Sequence, residues 1–124
     1  MADLKTTLDL ADEAAKAIRA LHGITRQSQS DPDWQHPGDA WAVVGSLREL
    51  SQHLPQLYGQ IGAFVQQLAT EGHLRSEDGG DGAADVVAAL AALQRAQGGA
   101  ETMAGALDTT HSALSHLLWK ANPR

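Results

Sequence analysis

Six histidines, with scattered carboxylates and serines, are the residues of this chain that could do chemistry. A zinc site built on one helix wants two histidines four residues apart and a carboxylate nearby. No histidine pair has that spacing, and His111 and His116 are five apart. A di-iron bundle wants Glu-x-x-His twice and two further inward glutamates. The chain has Asp108-Thr-Thr-His111 and Glu49-Ser-Gln-Leu-His53 instead. Ser112 and Ser115 lie beside histidines but in no Gly-x-Ser-x-Gly turn, and adjacent helical residues point apart. Glu77, Asp78 and Asp81 crowd one glycine-rich stretch without the alternating ligands and closing glutamate of a calcium loop. That stretch is acidic and would repel phosphate. The chain has no cysteine, which removes disulfides, thiolate metal sites and cysteine nucleophiles. No catalytic, cofactor-binding or metal-binding residue is assigned, and an enzyme is not expected.

The element that organises the chain runs from Ala40 to Glu71. Its large apolar residues, Val43, Leu47, Leu50, Leu54, Leu57, Ile61, Phe64 and Leu68, recur in alternating steps of four and three. That is the seam of a long helix packed on other helices. Val44, Tyr58 and Val65 widen it. Pro55 lies inside the seam without changing its phase, so a kinked, unbroken helix is expected. Before it, residues 3–22 form a first helix, with Asp3 as N-cap, Gly23 at the C-terminal cap and Leu4, Leu8, Ala11, Ala15, Ile18 and His22 on one face. A polar connection over 23–39, containing Trp34, Pro32, Pro37 and Gly38, leads to Asp39 as the next cap. An acidic turn spans 72–82. A third helix over 83–120 keeps one phase through Val86, Leu90, Leu93, Gln97, Ala100, Ala104, Leu107, His111, Leu114 and Leu118. Gly98-Gly99 interrupts helix propensity but brings no restart signal. One continuous helix is therefore expected, the alternative being a four-helix bundle broken at these glycines.

Composition narrows the classes of partner. The chain has 124 residues, enough for one domain with a modest, alanine-rich aliphatic core. Its formal charge is −6 and its basic residues are scattered, which disfavours direct contact with nucleic acid or with an anionic membrane. No run approaches a membrane span and the first residues lack a signal-peptide core, so a cytoplasmic protein is expected. Export without a cleaved signal stays open.

The unequal helix lengths carry the main structural expectation. Sequential helices joined by short turns pack antiparallel. Folding at 72–82 sets Phe64 near Leu90, Leu57 near Ala96, Leu47 near Leu107 and Pro55 opposite Gly98-Gly99. A shorter first helix would then leave Ile61, Phe64, Val65, Leu68, Val86, Val87, Leu90 and Leu93 uncovered, a candidate homodimer interface. The other end gathers His22, Trp34, His36, Trp41, His111, His116 and Trp119. That end is either a satellite core closed by Trp34 or a partner or ligand groove.

The segment Trp41-Ala-Val-Val-Gly-Ser-Leu-Arg-Glu-Leu and the terminal His111-Ser-Ala-Leu-Ser-His-Leu, in an Ala/Gly/Asp-rich setting, resemble small uncharacterised all-helical proteins of Streptomyces-like actinobacteria. The resemblance covers about the last two-thirds of the chain and implies a helical fold but no activity. The secreted hairpins named for Trp-x-Gly differ, because here Trp41 and Gly45 are separated by three residues and the tryptophan starts a helix. The expected fold is thus all-α, an antiparallel three-helix bundle with long second and third helices. The expected role is a non-enzymatic interaction or oligomerisation module, a homodimer with a further protein partner. Two alternatives stand beside it. One is a small-molecule or metal-binding bundle using His111, His22 and the tryptophans; the other is an acidic regulator acting through a DNA-binding partner.

Overall fold

The computed structural model describes residues 4–27 and 35–121. The expectations placed on Asp3 and Trp34 lie outside the described residues. Among the described residues the fold is all-α, with three helices, α1 (Thr7–Gln27), α2 (Pro37–Thr70) and α3 (Ala83–Leu114). The chain divides into two compact units, Met1–His36 and Pro37–Arg124. Each is described by itself.

In the first unit α1 begins later than expected because a reciprocal cap forms at Thr6. The Asp9 N–H donates to the Thr6 hydroxyl and the Thr6 N–H donates to the Asp9 carboxylate, both at 3.1 Å. This box satisfies two end donors at once. The helix then continues to Gln27 rather than stopping at His22. A glycine ends a helix only where the backbone turns left-handed, and Gly23 keeps a negative φ. The Asp12–Lys16 pair forms at 2.8 Å, four residues apart.

The second unit is an antiparallel hairpin of α2 and α3. α2 starts at Pro37, not Ala40. Proline suits the first helical position, where its missing N–H costs nothing. The helix runs unbroken past Pro55. It ends in a Schellman motif: Gly72 has φ 77°, the His73 N–H donates to the Leu68 carbonyl at 3.0 Å and the Gly72 N–H to the Ala69 carbonyl at 3.1 Å.

The acidic turn is held by its own side chains. The Asp78 carboxylate accepts from the Gly80 N–H and the Asp81 carboxylate from the Ala83 N–H, both at 3.0 Å. The Gly80 N–H, with help from the Ser76 hydroxyl, holds the Asp78 carboxyl below its ordinary value.

α3 passes through Gly98-Gly99 without a break, so the four-helix alternative does not apply. It ends at Leu114, short of the expected Lys120, with Ser115 at its C-cap. The hairpin register explains the end. His111 already stacks on Trp41, near the first residue of α2. Beyond it the periodic residues have no α2 to bury against, and Leu118 is 89% exposed.

Candidate interaction surface

The register of the hairpin follows from four cross-helix contacts. The Trp41 and His111 rings stack at 4.5 Å. The Arg48 guanidinium lies 3.0 Å from the Asp108 carboxylate. The Gln97 amide donates to the Pro55 carbonyl at 2.9 Å. Leu90 and Leu93 lie over Gly62, 3.5 and 3.8 Å from where a Cβ would stand. These place Pro55 beside Gln97, next to the paired glycines, close to the expected register.

The face that α2 presents differs from the expected one. α3 meets Gly45, Arg48, Pro55, Gly59 and Gly62, and with the wholly buried Ser51 these form a stripe in steps of three and four. Each residue turns a helix by about 100°. The centre of the seam of large apolar residues therefore lies about 140° round α2 from that stripe, more than a third of a turn, on the flank turned away from α3. Leu50 is 38% exposed, Leu57 44%, Ile61 40% and Phe64 59%. Among the described residues the buried set is small: Ser51, Gly82 and Ala100. No large side chain among them is fully buried.

The small residues explain themselves by what they admit. A Cβ on Gly59 would stand 3.0 Å from the Gln97 amide nitrogen, so glycine leaves room for the bond to Pro55. Ser51 is wholly buried and donates back to the Arg48 carbonyl at 2.9 Å. Gly45 makes room for the His111 imidazole, 3.1 Å from its would-be Cβ.

The residues expected at a dimer face therefore separate. Leu90 and Leu93 pack inward on Gly62. Val65 and Val86 line one shallow depression with Ala89 and Leu74, on one side of the hairpin. The opposite side carries a second depression, about 270 Å³, over Gly59, Gly62 and Ala63 with Gln66, Gln94 and Gln97. Val87, seven residues before Gln94, falls on that second side and is 67% exposed. Ile61, Phe64 and Leu68 share the α2 flank with Leu50, Leu54 and Leu57.

At the other end the structure joins Trp41 to His111 and adds two residues that sequence reasoning missed as site members, Arg48 and Asp108. The Arg48 guanidinium lies 3.3 Å from His111 Nδ1. Arginine only donates, so Nδ1 is the acceptor in that contact. Arg48 Nε is buried with no hydrogen-bond partner. An Arg48 at four residues from Val44 on one helix and an Asp108 three before His111 on the other were the available signals. His22 and His36 belong to the first unit, whereas His116 and Trp119 follow the end of α3. Among the described residues no group of three or more His, Asp or Glu side chains is placed to hold a metal ion, and no helix is long and apolar enough to cross a membrane.

Comparison with protein-family models, curated proteins and solved structures finds no match to the chain.

Proposed function

We propose that this chain is a non-enzymatic helical interaction module that works through the apolar flank of α2. One observation carries the reading: Leu50, Leu57, Ile61 and Phe64 form a periodic stripe that α3 does not cover. A stripe of that kind is what helix-in-groove and helix-bundle partners recognise. The hairpin also has little core of its own. Two helices bury no large side chain fully here, and the entropy of ordering a chain is offset mainly by apolar burial. Covering the stripe would supply the burial that the hairpin alone lacks.

The Trp41–His111 end supports this reading over a metal site. The Nδ1 of His111 is engaged by Arg48, at 3.3 Å. A neighbouring guanidinium also repels a metal cation.

Photocross-linking tests the proposal in the cell. A photoreactive residue at position 57 or 64 is expected to give discrete protein adducts, and one at position 94, on the other side, far fewer. Equal yields from all three positions, or none from 57 and 64, would overturn it.

A further inference from the structure

We infer that the occupant of the α2 stripe is a second copy of this chain, with α2 packed antiparallel on α2 about a two-fold axis at Leu57. The inference rests on the interaction reading above. Its first support is charge. The chain carries −6 overall, so copies repel unless the contact avoids acidic groups. From Leu50 to Thr70 the sequence contains no Asp, Glu, Lys or Arg. An occupant chosen by charge complementarity has nothing to read there, whereas a second copy meets no repulsion.

The direction follows from the ends of that uncharged stretch. Glu49 precedes it and Glu71 follows it. A parallel pair would set Glu49 beside Glu49 and Glu71 beside Glu71. An antiparallel pair about Leu57 sets Glu49 near Val65 of the second copy and Glu71 near Val43. It also opposes the helix dipoles. Size agrees: Leu50 meets Phe64 of the second copy and Leu54 falls within one residue of Ile61, so bulk is spread along the seam. In a parallel pair the two phenylalanines would collide at one level.

The absence of native cysteine makes the test clean. The full chain is expected to scatter light as a dimer. Leu57→Cys should close a disulfide between copies in oxidised glutathione, and Val87→Cys, on the other side, should not. Leu57→Glu should be a monomer with unchanged helicity. If that variant unfolds, Phe64→Ser should still raise the dimer dissociation constant at least tenfold. A monomeric wild type, with a reactive thiol in the Leu57→Cys variant, would overturn self-docking and leave the interaction reading standing, with a different protein as occupant. A monomer with an unreactive thiol at that position would mean that another part of the same chain covers the stripe, and both would fall. A dimer that cross-links through position 87 and not 57 would also overturn the inference.

Discussion

α3 turns Leu90, Leu93, Gln97 and His111 towards α2, whereas α2 answers with Gly62, Gly59 and Gly45 and leaves Leu50, Leu57, Ile61 and Phe64 exposed on the flank. The two helices have similar lengths, 34 and 32 residues, and similar spacing of apolar positions. Their use of that spacing differs. In a two-helix contact, bulk on one side needs space on the other, and close-packed interiors tolerate little overlap. The glycine stripe of α2 supplies the space. Its leucine stripe is then left over, and a leftover apolar stripe is a surface for something else.

Substitution on the two stripes of α2 should therefore act differently. The largest effect is expected inside the hairpin. Ser51 has no exposed surface, so Ser51→Leu should lower the unfolding free energy by about 3 kcal/mol through overpacking, read from urea denaturation. An unchanged midpoint would mean that this face does not meet α3.

A smaller effect is expected at the proline. Gln97→Ala removes the bond to the Pro55 carbonyl and should cost about 1 kcal/mol. Gly59→Ala crowds the same amide but gains helix propensity. Alone it should be near neutral, and combined with Gln97→Ala it should stabilise. A double-mutant cycle with additive terms would contradict the link.

Gly98 sharpens the contrast, because an added Cβ there meets nothing within 4 Å. Gly98→Ala should raise stability by about 0.8 kcal/mol, seen as a higher melting temperature. A loss would show that this glycine, like those of α2, holds a close contact.

The smallest effect belongs to the turn. Asp78 is held below its ordinary value of 3.8 by the Gly80 N–H. Its contribution is complete above that value and fades as pH falls through the lowered one. The Gly80 amide resonance should move in that acidic window, and a shift centred above 3.8 would reverse the sign.

Much of this hairpin could be read from the residues. The phase of α3, its continuity through Gly98-Gly99, the unbroken passage of α2 at Pro55 and the pairing register all follow from steps of three and four. The ends of the helices did not follow. Thr6-x-x-Asp9 and Pro37 are local signals that set the starts of α1 and α2, Gly23 does not end α1 because its φ stays negative, and the end of α3 depends on where its partner starts. The facing side of α2 did not follow either. Counting large apolar residues ranks the leucine stripe first, whereas packing selected the stripe with room, Gly45, Ser51, Gly59 and Gly62. The Arg48–Asp108 and Arg48–His111 contacts join residues 60 or more apart in sequence, and periodicity carries no information on such pairs.

Nuclear Overhauser contacts from the Leu90 and Leu93 methyl groups, recorded within one chain by isotope filtering, test the split between the two stripes most directly. The account predicts contacts to the Gly62 α-protons and none to the Leu57 methyl groups. Contacts to Leu57 with Gly62 silent would contradict it, because the leucine stripe would then be the inside of the hairpin.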